Sequence, residues 1–296
     1  MTPEQGLTAP PHVTIVIPVY NAARYIAETL DSAFAQTYEN FDVVCVDDCS
    51  TDDSVEIIRQ YIETSPNAQQ LSLIQLSENS GPSVARNKGI AAAKGIYILP
   101  LDADDKIDQC YMQKAINCFI ADPAIDVVYC KATTIGNDVS PYDFPPYDAG
   151  EMAVRNLVFA TAFFKKSDWV QYNGYNENMR TGLEDWDFWL HFTEDSKRFL
   201  QINETLFFYR KHGESRSESA QKNYSALIKQ IRKNHPKIFG FKAHLSNAHL
   251  RRYTLKKVKR RIKNIRKWII HIRLKKSEKI IRVAGVYLLQ KKTDQV

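Results

Sequence analysis

The feature that most constrains this chain is a run of short apolar segments, each followed by a segment of helical periodicity. Residues 13–19 form a continuous apolar stretch rich in β-branched side chains, the pattern of a strand buried on both faces. Asn21 then offers a helix cap, and Ile26, Leu30, Ala33 and Phe34 recur at helical spacing. Residues 41–46 read as a second strand, followed by Ser50 or Thr51 as a cap and by Asp52 and Asp53 in a first turn. Residues 71–76 read as a third strand, and Gly81-Pro82 opens the helix after it, with Gly95 beyond its end. A fourth strand at 97–101, a helix carrying Met112, Ala115, Ile116, Phe119 and Ile120, and a fifth strand at 125–130 complete the series. This alternation predicts an α/β fold with a Rossmann-like, doubly wound, mostly parallel sheet over the first 130 or so residues.

Ligands of such sheets bind beyond the carboxyl ends of the strands. Four polar clusters fall there: Tyr20-Asn21, Asp47-Asp48, residues 79–86, and Asp102-Ala103-Asp104-Asp105. The last empties a buried-strand pattern into three carboxylates, the oxygen ligands that a hard divalent cation takes and can share with a diphosphate. An acidic turn in which Asp105 or Asp108 caps a helix is the plainer reading of that run alone. The four coincident strand ends favour a site. No G-x-G-x-x-G follows the first strand, where Pro18-Val19-Tyr20-Asn21 stands instead, which disfavours a dinucleotide-dependent oxidoreductase.

The chain has 296 residues, enough for one large domain and an appendage. Its five cysteines, Cys45, Cys49, Cys110, Cys118 and Cys130, show no paired metal spacing, and four lie in apolar segments, as expected of buried thiols in a reducing compartment. Residues 1–12 lack the basic-then-apolar order of a signal peptide, and no stretch approaches the roughly 20 apolar residues of a membrane span. The net charge of +6 hides a split: the first 250 residues sum to −9 and residues 251–296 to +15. Within that tail Leu255, Val258, Ile262, Ile265, Ile269 and Ile272 recur at three- and four-residue steps among lysines and arginines. The pattern predicts an amphipathic cationic helix, aided by Trp268 and a second apolar patch at 280–289. It suits the interface of an anionic bilayer; packing on the body or on a second copy through the C-terminal helices is the alternative. Charge alone would also supply nucleic-acid binding, although nucleic acid is not the expected partner.

Six ordered motifs together resemble family-two glycosyltransferases, inverting enzymes of the A-type fold. They are Ile17-Pro18-Val19-Tyr20-Asn21, Val46-Asp47-Asp48-Cys49-Ser50-Thr51-Asp52, the stretch from Asn79 to Gly89 with Arg86 inside it, Leu101-Asp102-Ala103-Asp104-Asp105, Asn173-Gly174-Tyr175-Asn176-Glu177, and Glu184-Asp185-Trp186-Asp187. The resemblance spans about residues 13–215 and stops before the basic tail.

The resemblance implies a nucleotide-sugar donor, a Mn2+ or Mg2+ ion, and a role in bacterial cell-surface polysaccharide synthesis. It assigns donor binding to Pro18, Val19, Tyr20, Asn21, Asp48, Asn79, Arg86, Asp102 and Ala103. Asp48 would accept the uracil N–H, which favours UDP, or would cap the next helix instead. Arg86 would meet the base or the diphosphate, compatibly with an ion pair to Asp47 or Asp48. Asp102 would face the ribose and Asp104 the metal. His212, in Tyr209-Arg210-Lys211-His212, would be a second metal ligand or an ordinary loop histidine. Asp185 matches the family's general base, with Glu184 holding the acceptor or orienting a neighbour. Trp186 would stack on the acceptor sugar; Trp189 fits the core equally well.

These assignments divide the chain into a flexible terminus at 1–12, a catalytic domain at 13–223 and a basic helical tail at 224–296. The catalytic domain splits into a nucleotide-sugar half at 13–131 and an acceptor half at 132–223. The implied reaction moves one sugar from a UDP-sugar to a hydroxyl of a glycan or lipid-linked acceptor. The Gln-x-x-Arg-Trp signature of processive members is absent. The implied location is cytoplasmic, peripheral on the inner face of the cell membrane. A sugar-phosphate nucleotidyltransferase is the rival enzyme, and a membrane- or nucleic-acid-binding protein acting through its tail is the rival without catalysis.

Overall fold

The computed structural model describes residues 10–142, 144–212 and 223–239, together with the backbone of 279–283 and 286–290. Strands β1 (Val13–Val19), β2 (Phe41–Asp47), β3 (Leu71–Gln75) and β4 (Tyr97–Pro100) pair in parallel, in the spatial order β3-β2-β1-β4. β1 and β2 are almost wholly buried because helices cover both faces, whereas the edge strand β3 leaves Ser72 and Gln75 exposed. Ile15, Ile17, Val43 and Leu99 are fully buried, as are Ile26 and Leu30 of helix α1 (Ile26–Phe34), which packs over them. Helix α2 (Ser54–Thr64) follows β2, and helix α3 (Pro82–Ala92) follows β3. Gly89 of α3 lets the helix lie against β1 and β2: a Cβ there would stand 2.5 Å from Val16 Cγ1 and 3.0 Å from Val46 Cγ2. Asn21 does not cap α1 but turns its side chain to the loop after β2.

After β4 the sheet is no longer parallel. The two-residue strand β5 (Lys106–Ile107) and helix α4 (Tyr111–Ala121) lead to the long strand β6 (Val127–Gly136). Strand β7 (Pro141–Tyr142) hairpins onto β6, and helix α5 (Ala149–Met152) follows. Strand β8 (Phe163–Lys165) inserts antiparallel between β4 and β6, so β6 does not extend the parallel set directly as its sequence suggests. Helices α6 (Lys166–Gln171) and α7 (Glu184–Glu194) precede β9 (Phe199–Lys211), longer than the expected strand at 205–209. Strand β9 runs parallel to β6, with register shifts around Lys131, and its far half pairs antiparallel with β5. Irregularities of this kind bend a strand pair. Here the outcome carries residues 210–212 to the turn after β4.

Helices α8 (Tyr224–Asn234) and α9 (Pro236–Phe239) fall within the compact unit Met1–Ala243, although their sequence groups them with the tail. The second unit is His244–Val296. The expected helical run is contradicted at 280–289: Lys279–Val283 and Val286–Gln290 form an antiparallel pair, β10 and β11. Apolar, β-branched segments separated by Ala-Gly favour a hairpin over a helix. The cationic helix expected at 255–272, and with it the membrane and oligomer contacts, lies outside the described residues. Among the described residues no helix is long and apolar enough to cross a membrane. All five cysteines are free; Cys45 and Cys130 are buried, whereas Cys49, Cys110 and Cys118 are only half-buried.

Candidate active site

The carboxyl ends of β1, β2 and β4 come together as the alternation requires, and a network of hydrogen bonds ties their loops into one cluster. Asn21, in the left-handed region at φ 49°, accepts the Thr51 N–H through its side chain and donates its own N–H to the Ser50 hydroxyl. Asp48 is buried, and its two oxygens accept the N–H groups of Ser80 and Gly81, each at 2.7 Å. It thereby fixes the loop that enters α3, not the helix that follows β2. Gly81 needs its freedom there, at φ 89°. The Asn79 carbonyl accepts from Arg180 Nη2, which brings a later loop over the same edge.

Arg86 is the hinge of the cluster. Its guanidinium is 2% exposed and lies over the Tyr175 ring, 5.6 Å from its centroid. Nη1 donates to Glu184 Oε1 at 2.9 Å and Nη2 to Asp102 Oδ1 at 2.5 Å. The expected partners, Asp47 and Asp48, are therefore replaced by Glu184 and Asp102. Asp48 is occupied with the loop backbone, and the Asp47 carboxylate accepts the Ser50 N–H. A fork donor can bridge two carboxylates where a point charge cannot. In doing so it joins the turn after β4 to the start of α7.

Glu184 and Asp185 open α7, where the positive end of the helix dipole favours anions. The preceding Leu183 sits at φ 62°, a left-handed conformation that is strained for a non-glycine residue. Asp185 Oδ1 accepts the Trp186 N–H and Oδ2 accepts from Asn156 Nδ2, each at 2.8 Å. Burial, and then the neighbouring Glu184 charge, nevertheless push the Asp185 carboxyl up to about 7. A carboxylate so tuned can take a proton near neutral pH.

The acidic turn after β4 meets the end of β9. His212 Nε2 lies 2.8 Å from Asp104 Oδ2, and its ring stacks on Tyr25. Burial, then the charge of Asp102, raise the Asp104 carboxyl, while His212 opposes the shift. Asp105 is buried; it accepts the Arg210 N–H at 2.7 Å and pins the strand end. Arg210 Nε donates to the Asp104 carbonyl, and Nη2 reaches Glu28. A carboxylate beside an imidazole, with further acids crowding the turn, is an oxygen and nitrogen donor set that fits a divalent cation such as Mn2+.

The remaining assigned residues divide. Tyr20 and Asn21 are exposed at the rim, Asn79 is exposed, and Pro18 is half-buried. Val19 is wholly in the core with its carbonyl accepting the Asp48 N–H, and Ala103 is buried with its carbonyl accepting from Thr29. These two contribute shape to the floor, not side chains to a ligand. Trp186 corrects the expectation of an open stacking face: it is 3% exposed, with Nε1 donating to the Met152 carbonyl. Its neighbours on an amphipathic helix decide this, since Trp189 and Phe192 bury on the same element. Sequence reading missed Asn156, Arg180 and the bracing role of Arg210. Arg210 lies inside a motif already in view, whereas Asn156 sits in a loop without any pattern.

Comparison with known proteins bears on the family and the fold. Residues 14–167 match the model of glycosyl transferase family 2, more than half of the chain. Chondroitin synthase of Pasteurella multocida is 28% identical over 228 residues, 74% of this chain but only 23% of that protein. The putative teichuronic acid biosynthesis glycosyltransferase TuaG of Bacillus subtilis is 33% identical over 133 residues, 45% of this chain and 51% of its own length. The match thus covers between 23% and 51% of the length of these relatives. Among solved structures, S. aureus TarS 1-349 in complex with UDP-GlcNAc superposes with a TM-score of 0.62 at 22% identity, covering 76% of this chain and 66% of that one. The mannosyltransferase PcManGT of Pyrobaculum calidifontis, in complex with GDP-Man and Mn2+, gives 0.61 at 22% identity over 84% and 74% of the two chains. The mixed sheet, the ordered strand-end motifs and the family match together place this chain in glycosyltransferase family 2, with the A-type fold.

Proposed function

We propose that the chain transfers a single sugar from a UDP-sugar to a hydroxyl of a glycan or lipid-linked glycan, with inversion at the anomeric carbon. The observation that carries the reading is the Glu184–Arg86–Asp102 bridge, which ties the residue before Asp185 to the turn that also holds the Asp104–His212 pair. It supports reading Asp185 as the base and the Asp104–His212 pair as the metal site of one active centre. Family membership and the glycosyltransferase relatives support the reaction class. TarS with UDP-GlcNAc supports a uridine donor, whereas PcManGT with GDP-Man is a reminder that the fold serves other bases.

In this reading the acceptor hydroxyl approaches the anomeric carbon from the side of α7. Asp185 takes its proton as the new C–O bond forms, and the bond to the diphosphate oxygen breaks with its electrons leaving on UDP. Asn156 and the Trp186 N–H hold the carboxylate, and Arg86 holds Glu184 beside it. Asp104 and His212 would hold a Mn2+ or Mg2+ ion, which when bound neutralises charge on the diphosphate. Tyr20 and the Asn21 loop form the rim for base and ribose, with Asp48 behind the loop that shapes it. The +15 charge of residues 251–296 supports docking on an anionic membrane face, where a lipid-linked acceptor would be found.

The test is a product assay with UDP-sugars and Mn2+. Released UDP with a new glycoside supports the reading, and released pyrophosphate would replace it with nucleotidyl transfer. Asp185→Asn should lower turnover by roughly 10²–10⁴ while donor affinity stays nearly unchanged. Wild-type rates in that variant would remove Asp185 from the role of base. Asp104→Ala should lose metal-dependent donor binding, and undiminished affinity in EDTA would take the metal out of the scheme.

A further inference from the structure

Helix α7 carries a second set of metal-ligating side chains, beginning at Asp187 in its first turn and running toward its C-terminal end, with no part in the reaction above. Asp187, His191 and Glu194 follow one another at four- and three-residue steps, which puts them on one face. His235, at the junction of α8 and α9, is brought against that face, and its ring meets His191 with centroids 4.6 Å apart. One ligand atom from each of Asp187, His191 and His235 lies within 4.8 Å of the others. His235 Nε2 stands 3.2 Å from Asp187 Oδ1, and Nδ1 stands 3.3 Å from Glu194 Oε1.

Close as they are, these contacts are not directed as hydrogen bonds. Both His235 nitrogens, Asp187 Oδ2 and Glu194 Oε1 are buried without a hydrogen-bond partner. The side chains of His235 and Asp187 are 0% exposed. Leaving His235 Nε2 and an Asp187 oxygen unsatisfied beside the His191 ring is costly unless something occupies the space between them. Bonds of about 2.0–2.2 Å to a tetrahedral ion set neighbouring ligand atoms roughly 3.3 Å apart, close to the observed separation of His235 Nε2 and Asp187 Oδ1. Glu194 behind Nδ1 fits the carboxylate that orients a ligating imidazole, and Asn234 does the same for Asp187 by donating to Oδ1 at 2.7 Å.

We propose that Asp187, His191 and His235, with a water molecule as the fourth ligand, form a Zn2+ site that fastens α8 and α9 to the helix carrying the candidate active-site acids. Two imidazoles and one carboxylate suit Zn2+ over Mg2+ or Mn2+, which take mostly oxygen. The site is distinct from the Asp104–His212 pair and does not depend on the transferase reading. Its consequence is mechanical: Asp187 lies two residues beyond Asp185, so the ion stiffens the helix that aims the base.

The experiment measures metal content and Co2+ spectra on the full chain, using Asp104→Asn to silence the catalytic pair. After brief exposure to EDTA and gel filtration, the wild type and Asp104→Asn should each retain about one Zn2+ per chain. His191→Ala, at the half-buried edge of the cluster, should lose it. Metal-stripped Asp104→Asn titrated with Co2+ should develop the intense visible absorption of a four-coordinate ion, displaced by Zn2+. A strong chelator should lower the melting temperature of the wild type and leave that of His191→Ala unmoved. Loss of Zn2+ in Asp104→Asn, retention in His191→Ala, or failure of the stripped protein to give a four-coordinate Co2+ spectrum each overturns the proposal. The Co2+ titration decides the matter even if His191→Ala does not fold. A protein that binds no metal here would hold His235 as a charge pair between Asp187 and Glu194.

Discussion

Asp185 illustrates how a residue's neighbours set its chemistry. Removal from water and the adjacent Glu184 charge both disfavour its ionised form, and they outweigh the Trp186 N–H and Arg86, which favour it. The carboxyl is raised to about 7, so it is charged and able to accept a proton above that pH and protonated below it. Activity should therefore rise with pH: kcat/KM should fall about tenfold per pH unit on the acidic side of a limb near 7. A pH–rate profile flat from 5 to 8 would contradict the assignment. Asn156 donates to the charged form, so Asn156→Ala should move that limb to higher pH and lower kcat/KM at neutrality by roughly ten- to a hundredfold. A loss of rate with the limb unmoved would make Asn156 structural only. The acids were legible in the sequence because they stand at strand ends or in an ordered motif. Asn156 was not, since a lone amide in a loop gains its meaning only from the fold that delivers it. The same holds for the partners of Arg86: nothing in the spacing says that Asp102 and Glu184 will share it.

Elements followed the sequence closely wherever burial on both faces dictated composition. The first four strands appear at 13–19, 41–47, 71–75 and 97–100, within a residue or so of their apolar runs. The second half resisted reading because its strands are specified by partners instead of by pattern. Strand β8 has three residues and β5 has two, and each exists because a longer neighbour pairs with it. Trp186 misled for the complementary reason: an aromatic residue beside candidate catalytic acids suggests sugar stacking, while the helix it sits on buries that face. Packing between elements is most exacting at Gly89, where α3 crosses β1 and β2. Alanine gains about 1 kcal/mol over glycine in helix propensity, but its methyl would be 2.5 Å from Val16 Cγ1. The clash should win. Gly89→Ala is expected to destabilise the protein by roughly 1–3 kcal/mol, a drop of several degrees in melting temperature by calorimetry. A stabilised variant would mean that helix and sheet can part without cost. Because α3 also carries Arg86, the same substitution should weaken donor binding.

At the scale of the whole molecule, the charge split would suit the two tasks proposed for this chain, which one uniform surface would serve poorly. The first 250 residues, at −9, would repel an anionic diphosphate donor as a whole, so a donor of that kind would need positive charge supplied locally, as the proposed cation and Arg86 would do. Residues 251–296, at +15, would be drawn to an anionic surface regardless of what the catalytic half does. Each lysine or arginine close to an anionic bilayer contributes about 1 kcal/mol, and the attraction decays within a Debye length of roughly 10 Å at 0.1 M salt. The full chain should therefore float with phosphatidylserine-containing vesicles at low salt, not with neutral phosphatidylcholine ones. It should be released as salt approaches 1 M, where the screening length is about 3 Å. Ending the chain at Ala243, the last residue of the first compact unit, should abolish flotation and leave turnover on a water-soluble acceptor near the wild-type rate. Flotation that persists in high salt would shift the anchor from charge to the apolar seam at 255–272. Equal flotation of the shortened chain would take the membrane role away from the tail and return it to the catalytic unit.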